Sequence, residues 1–432
     1  MYNRFHRSAF AILACCLVLL LASCAFQPFD TATGQASGPN SQVSTPQPTT
    51  TSTTAPPQTQ TDCPPPGTNR AAVMAPIAAG ADQNVVYAFN SGQNAPVAGI
   101  LRRYDVTTGA KMDIVSIPQV ALGAAQLSTD GQWVIFVSRV TGHAAIQLVR
   151  IDGQSLQTLY CDDQTGILQL QMSPDQQTVV FTRSGASSGV YMFHLAVDGK
   201  ITMVAGGSFS LVTWLDNTRL YALSPTPQTT LPSNLALLDT NKPGQPANAL
   251  PLIFTPASAC ASFDSSLDAT KLYYSQCHTV AATGQGSSSI VALPAMGRGT
   301  PNTIYNSATQ AVTTVRVASA TMLLFLVKNP PPARPAPPGT PPTNGLWRVN
   351  VDGTGLTHLV NIGAGQNATL NEYSQYTWSN VSRDGKLFVI KTIDQNGAQT
   401  LSFGAIAGGN ATAFARVAAG FGGVHIIGWT RL

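Results

Sequence analysis

Leu127-Ser-Thr-Asp-Gly-Gln-Trp-Val-Ile-Phe136 leaves one apolar stretch, passes through a short Asp-bearing turn and enters another. Four more segments do the same: Met172-Ser-Pro-Asp-Gln-Gln-Thr-Val-Val-Phe181, Val212-Thr-Trp-Leu-Asp-Asn-Thr-Arg-Leu-Tyr221, Phe263-Asp-Ser-Ser-Leu-Asp-Ala-Thr-Lys-Leu-Tyr273 and Trp378-Ser-Asn-Val-Ser-Arg-Asp-Gly-Lys-Leu-Phe388. They recur roughly every 45 residues, with one interval more than twice as long, and a period of that size built from short strands is the pattern of a β-propeller. Asp130, Asp175, Asp216, Asp268 and Asp384 occupy the first turn of each copy, with Gly131 and Gly385 beside two of them. Their expected work is structural: an Asp side chain accepts nearby backbone N–H groups, and Gly tolerates positive φ.

Each copy continues in the same order. A strand rich in Val, Ile, Phe and Tyr follows the turn, as in Trp133-Val-Ile-Phe-Val137. After a loop, a third strand ends in Asp-Gly: Leu148-Val-Arg-Ile-Asp-Gly153, Met192-Phe-His-Leu-Ala-Val-Asp-Gly199 and Leu346-Trp-Arg-Val-Asn-Val-Asp-Gly353. Asp-Gly between β-branched and aromatic runs is a strong hairpin signal. An outer edge strand completes the unit, as in Thr357-His-Leu-Val360. Second-strand candidates start at Asn84, Trp133, Thr178, Arg219, Leu272, Met322 and Leu387, which predicts seven blades. Inner strands match that count only if the C-terminal Val424-His-Ile-Ile-Gly-Trp-Thr-Arg-Leu432 joins the first blade and closes the ring; Ile426–Thr430 reads like Tyr376-Thr-Trp-Ser379. Six blades is the alternative, because the fourth and sixth copies are irregular.

The Ser-x-Asp-Gly-x-x-aromatic run, followed by a strand ending in Asp-Gly, resembles the TolB-type propeller repeat, a WD-repeat-like unit. Ser128-Thr-Asp-Gly131, Ser173-Pro-Asp175 and Ser382-Arg-Asp-Gly385 carry the resemblance, which spans roughly residues 73 to 432. It implies the fold and leaves activity open, since such repeats serve periplasmic scaffolds, lipoproteins and the propeller halves of serine peptidases. TolB carries an α/β domain ahead of its propeller, and this chain has a polar tether in that place.

That tether belongs to a leader-like start. Arg4 and Arg7 precede an apolar run from Ala9 to Ala22 and then Ser23-Cys24, the order of a secretory signal. Leu21-Ala22-Ser23-Cys24 resembles the bacterial lipobox, which implies lipidation of Cys24 and a membrane anchor of two or three acyl chains. An ordinary signal peptide or an uncut anchor are the other readings. Residues 24–69 are Thr, Ser, Pro, Gln and Gly with almost no charge, a composition that cannot bury enough apolar surface to fold. The expected organisation is thus signal peptide 1–23, disordered tether 24–69 and propeller 70–432.

Charge narrows the function. Of 23 basic residues two lie in the leader, leaving 21 against 19 acidic, and Glu372 is the single Glu. This near-neutral balance argues against nucleic acid, which demands a basic stripe. With most Asp committed to turns, a paired-carboxylate hydrolase has few residues to draw on. Gly185-Ala-Ser-Ser-Gly189 fits the G-x-S-x-G pattern, but joins two strands where a nucleophile elbow needs a helix. The scattered His143, His194, His278, His358 and His425 lack zinc-site spacing, and Asp162-Asp163 reads as a solvated turn. No metal or cofactor is implied. Cys15 and Cys16 leave with the signal, so Cys63, Cys161, Cys260 and Cys277 remain, an even count that suggests bridges in an exported chain. Cys260 and Cys277 lie about equally far from the Asp268 turn and could face each other; Cys63 and Cys161 pair by elimination. Free thiols are the alternative. Asn329-Pro-Pro-Pro-Ala-Arg-Pro-Ala-Pro-Pro-Gly-Thr-Pro-Pro-Thr343 reads as an exposed polyproline-like insertion in the sixth blade.

The sequence therefore predicts an all-β, seven-bladed propeller held outside the cytoplasm by a lipid anchor. The expected function is a binding scaffold for another envelope protein or a glycan. A hydrolase or lyase site in the central channel is the competing class, for which Asp264, Arg316, Tyr376 and Arg383 are the candidates; a purely structural ring is the third. Clustered ionisable groups at the channel mouth favour chemistry, Thr, Ser, Gln and aromatics favour binding, and an apolar plug favours structure.

Overall fold

The computed structural model describes residues 62–65, 71 and 75–432, apart from 93–97, 141, 164–165, 197–199, 225–234, 246–247, 251–261, 280–285, 308–309, 329–343, 364 and 372. They fall within the compact unit Thr50–Leu432. The expected leader, Cys24, the tether as far as residue 61, Cys260, the Cys277 side chain and the Pro-rich insertion lie outside the described residues.

Seven four-stranded antiparallel sheets make up the ring. From inner to outer strand, blade 1 is Gly422–Thr430, Asn84–Ser91, Ala98–Asp105 and Lys111–Pro118. Blade 2 is Ala121–Leu127, Trp133–Val140, His143–Arg150 and Gln157–Asp162, and blade 3 is Ile167–Met172, Thr178–Arg183, Gly189–His194 and Thr202–Gly206. Blade 4 is Leu211–Trp214, Arg219–Leu223, Leu235–Asp239 and Asn248–Ala249; blade 5 is Phe263–Ser265, Lys271–Thr279, Gly286–Pro294 and Asn302–Ser307. Blade 6 is Ala311–Ser319, Met322–Lys328, Gly345–Asn350 and Thr357–Asn361, and blade 7 is Asn367–Thr369, Leu387–Ile393, Gln399–Ala405 and Thr412–Val417. The count is seven, and the C-terminal strand closes blade 1 by pairing with Asn84–Ser91 from Asn84 opposite Thr430 to Ser91 opposite Gly422. Closure gives the second strand of blade 1 the inner partner that the other second strands have.

Period-2 alternation puts apolar side chains on both faces of each blade, and they pack on the neighbouring blades. The described core accordingly divides into seven clusters, each bridging two successive blades. Leu101 and Ile114 of blade 1 meet Leu127 and Phe136 of blade 2. Around the ring, Phe388 and Ile390 of blade 7 meet Leu324 and Leu346 of blade 6. At the closing seam Val389, Leu401 and Phe414 of blade 7 pack on Tyr87, Val424, Ile426 and Trp429 of blade 1. Tyr104 of blade 1 stacks on Phe414 there, with ring centroids 4.7 Å apart.

The first turns form because Ser and Asp close them twice over. Ser128 Oγ donates to Asp130 Oδ1 (2.6 Å), which also accepts the Gln132 N–H (3.0 Å), while Ser128 Oγ accepts the Trp133 N–H (2.9 Å). Ser173/Asp175, Ser266/Asp268 and Ser382/Asp384 repeat the pattern, with Ser–Asp distances of 2.5 Å in each. Asp216 has no Ser partner and instead accepts the Thr218 and Arg219 N–H groups and pairs with the Arg219 guanidinium. These hydrogen bonds hold the exposed Asp268 carboxyl down to about 2. The residue after each Ser-motif Asp sits at positive φ: Gly131 at 76°, Gln176 at 62°, Ala269 at 57° and Gly385 at 73°. Gly185–Gly189 is the loop between two strands of blade 3, closed by the Ser188 N–H on the Gly185 carbonyl.

One expectation needs correction. Tyr376–Ser379 is not an inner strand: the inner strand of blade 7 pairs only over Asn367–Thr369, and Thr377–Ser379 is a single 3-10 turn. Strand pairing resumes as one bridge between Val381 and Phe388. The residues between leave the sheet for the ring axis.

Candidate functional site: a polar belt and plug on the ring axis

Antiparallel order places the inner-to-second turns of blades 2 to 7 and the third-to-outer turns of every blade on one face, here the turn face, and the remaining connections on the opposite face. Looking along the inner strands, one position recurs in register, two residues before the turn residue of each blade. It holds Gln126, Gln171, Thr213, Asp264, Arg316, Asn380 and Gly428. The first six are polar and buried. Gly428 sits at φ 158°, and a Cβ there would stand 2.8 Å from the Trp378 carbonyl, so only glycine lets blade 7 approach this closely.

Buried polar groups need partners, and the belt finds them on neighbouring backbone. Gln126 Oε1 accepts the Met172 N–H (2.7 Å), clipping blade 2 to blade 3. Asp264 Oδ2 accepts the Val317 N–H (2.7 Å), clipping blade 5 to blade 6 in the same way. Gln171, Arg316 and Asn380 hold the segment 370–380. Gln171 Nε2 donates to the Tyr373 carbonyl (3.1 Å), Arg316 Nη2 to the Asn371 carbonyl (3.5 Å), and Asn380 Oδ1 accepts the Asn371 N–H (2.7 Å).

This segment is a plug. Asn371 Nδ2 donates to the Ile426 and Ile427 carbonyls of the closing strand, and Asn371 Oδ1 accepts the Tyr373 and Ser374 N–H groups. Its three aromatic rings fan across the axis. Tyr373 packs on the cluster between blades 2 and 3, Tyr376 on that between blades 3 and 4, and Trp378 on that between blades 1 and 2. Tyr376 and Trp378 stack at 4.4 Å. Tyr376 Oη donates to the Met172 carbonyl (2.7 Å) and Trp378 Nε1 to the Leu127 carbonyl (3.2 Å). The described residues of the plug are thus aromatic with Leu, Asn, Ser, Gln and Thr. Gln375 is 6% exposed, and neither end of its amide meets a described partner.

Arg383 locks the turn face beneath the plug. It donates to the Trp429 (2.7 Å), Thr129 (2.7 Å) and Ser128 (3.1 Å) carbonyls, joining blades 7, 1 and 2, and lies over the Trp378 ring at 4.7 Å. Burial pulls its pKa down to about 10, still protonated at neutral pH.

The candidate chemistry residues therefore divide. Asp264 and Arg316 come together, both buried; burial pushes the Asp264 carboxyl up to about 7, against the opposing pull of the Arg316 charge. Tyr376 and Arg383 lie toward blades 1 to 4, and burial pushes the Tyr376 phenol well above its usual range. All four bind backbone groups of this chain, and no nucleophile stands against a base among them. Of the histidines, His194 Nδ1 meets Thr178 Oγ1 at 3.0 Å, and His358 and His425 lie tilted against the rings of Trp347 and Tyr373. Among the described residues no three His, Cys, Asp or Glu gather in a metal-holding group. The belt and plug were missed from sequence. A signal existed for the belt: aligning the copies on their turn Asp stacks Gln126, Gln171, Asp264 and Asn380 at one position.

A strap covers part of the turn face. Cys63 is disulfide-bonded to Cys161 on the outer strand of blade 2. The Ala71 N–H then donates to the Leu195 carbonyl of blade 3, Arg150 Nη1 to the Ala75 carbonyl, and the Gln132 amide pairs with both backbone groups of Ile77 (2.8 and 2.9 Å). Finally the Gly80 N–H meets the Arg431 carbonyl at 2.8 Å, fastening the chain's C-terminal end. Over blades 5 and 6 the turn face instead exposes Leu267 and Met296, each in a turn, and Leu356 just before an outer strand.

Comparison with solved structures agrees with the fold. The β-propeller domain of the Trilobed protease from Pyrococcus furiosus superposes with a TM-score of 0.51 at 9% identity, covering 79% of this chain and 94% of that one. That domain is described as having an open velcro topology, whereas here the last strand pairs with the first. TolB from Acinetobacter baumannii matches with a TM-score of 0.42 at 13% identity over 64% of this chain and 63% of the TolB chain, somewhat under two thirds of that protein's length. A periplasmic gluconolactonase from Pseudomonas aeruginosa matches at 0.49 and 12% identity, covering 80% and 99%. No protein-family model and no curated protein matches the sequence. At such identities the likeness is one of fold.

Proposed function

We propose that this protein is an extracytoplasmic scaffold, lipidated at Cys24, with residues 1–23 as signal, 24–69 as tether and 70–432 as the ring, which binds another envelope protein through a face of the propeller. One observation carries the reading: the axis, where a channel enzyme would hold its substrate, is filled by the chain's own segment 370–380, and the groups nominated for catalysis are spent on backbone carbonyls and N–H groups. Recognition then falls to the faces. The strap leaves blades 5 and 6 open on the turn face, and Leu267 (60% exposed), Met296 and Leu356 give that half an apolar character suited to a protein more than to a glycan.

The test is site-specific photocrosslinking of the full-length protein in its native envelope, with the reactive residue at Leu267, Met296 or Leu356 and, as comparison, at the strap-covered Gln132. A discrete crosslinked protein from the first three positions, absent at Gln132, supports the reading. No product at any position, together with turnover of a glycan substrate that is lost on D264N, would replace it with the channel-enzyme reading.

A further inference from the structure

Asn371 is a hub that gathers more hydrogen-bond donors than the chain satisfies. Its carbonyl accepts Arg316 Nη2 (3.5 Å) and its N–H donates to Asn380 Oδ1 (2.7 Å), so the guanidinium and the Asn380 amide meet at the backbone of one residue. The Ser374 N–H on Asn371 Oδ1 (2.8 Å) brings Gln375 next in the chain, and the inner strand of blade 6 lies beside the turn Thr377–Ser379. Among these groups Arg316 Nε, Asn380 Nδ2 and both ends of the Gln375 amide are buried without a hydrogen-bond partner. The three residues are only 8%, 0% and 6% exposed, so solvent does not serve them from outside. A buried donor left unpaired is costly, most of all on a charged group, and several round one hub call for an occupant.

The free capacity has a sign. Arg316 Nε, Asn380 Nδ2 and Gln375 Nε2 are N–H donors, the first on a cation, and Gln375 Oε1 is the acceptor that stands against them. Arg316 makes no ion pair among the described residues: Nη1 holds Ser262 Oγ and the Val315 carbonyl. Asp264 stands within the field of its charge, but Oδ1 accepts the Ser265 N–H and Oδ2 the Val317 N–H, which turns the carboxylate to backbone. We propose that Arg316, Asn380 and Gln375 form a site on the ring axis for a small monovalent anion, chloride in size and charge. Such an ion accepts from several N–H groups at once, brings no donor of its own and supplies the counter-charge. Water brings two further donors to a place short of acceptors and leaves the guanidinium uncompensated. Enclosure by side chains at least nine-tenths buried excludes a polymer or any ligand with a solvent-facing tail. The site lies on the axis and stands apart from whatever the faces of the ring bind.

The experiment is thermal unfolding of the full-length protein in detergent against sodium chloride, at constant ionic strength made up with sodium methanesulfonate, together with crystals grown with bromide in place of chloride. The wild-type midpoint rises with chloride, by about 5 °C once the ion stands a hundredfold above its Kd. Bromide gives an anomalous-scattering peak within hydrogen-bond distance of Arg316 Nε and Asn380 Nδ2. Gln375→Leu loses most of the chloride response yet unfolds no earlier than the wild type in methanesulfonate, because the amide it removes has no partner in the chain. R316M abolishes the response, and D264N, which removes a nearby negative charge, reaches the same rise at lower chloride. The site is overturned by a wild-type midpoint indifferent to chloride, by a response that survives in Q375L or R316M, by a weaker response in D264N, or by bromide that binds elsewhere and leaves only water at the hub. Should R316M or D264N not fold, Q375L and the bromide map decide on the same criteria.

Discussion

Replacing Trp429 by alanine tests ring closure directly. Trp429 is fully buried, and it sits on the last strand where that strand meets blade 7. Its indole Nε1 meets no described acceptor, and the bond that Arg383 makes is to the Trp429 backbone carbonyl. Truncation therefore strands no hydrogen-bond partner and leaves the Arg383 contact intact; what is lost is apolar transfer plus the cavity left among Val389, Leu401 and Phe414. That combination costs about 3–5 kcal/mol for a large aromatic. With a slope of roughly 3 kcal/mol/M, the urea midpoint falls by about 1 M or more. Leu267→Ala, at an exposed turn on the same ring, is the control and moves stability by no more than about 0.5 kcal/mol. Far-UV circular dichroism against urea reads both. A midpoint shift for W429A no larger than that of L267A refutes the closure, because a terminal strand that merely lies on the surface has no such cost.

Two smaller perturbations address the turns and the strap. Gln176→Gly and Ala269→Gly each relieve a non-glycine residue held at positive φ where Gly131 and Gly385 serve in other blades; each variant gains about 0.5–1 kcal/mol in thermal or urea unfolding, and a loss at both sites contradicts the turn geometry. Cys161→Ser opens a covalent loop of sequence separation 98 and costs about 2–4 kcal/mol relative to the oxidised wild type, a difference that vanishes when both are measured under reducing conditions.

What was legible in the sequence was whatever the chain repeats. All seven second strands begin within a residue of where alternation and the Asp turns put them, because those signals are local: a Ser hydroxyl and an Asp carboxylate bond to backbone a few residues away. Closure was legible because the inner strands fell one short without Val424–Leu432. The plug was not. Tyr376-Thr-Trp-Ser379 has the β-branched and aromatic composition of a strand, yet its rings pack on clusters formed by blades 1 to 4, and those distant contacts override local preference. Asn371, the residue that diverts the chain, acts through carbonyls of Ile426 and Ile427 that are more than fifty positions away. The paired roles of Asp264 and Arg316 were hidden for the same reason: they lie on successive blades and meet only when the ring forms.

The strap decides where force enters the ring. Any tension on the chain ahead of Cys63 is delivered first to Cys161, in the outer strand of blade 2, through a covalent bond. The zipper between Asn84–Ser91 and Gly422–Thr430, which would otherwise be the first pairing to be peeled, stands behind that bond and behind the anchorages at Leu195, Gln132 and Arg431. A molecule tugged by its amino-terminal end thus meets the load away from the closing seam.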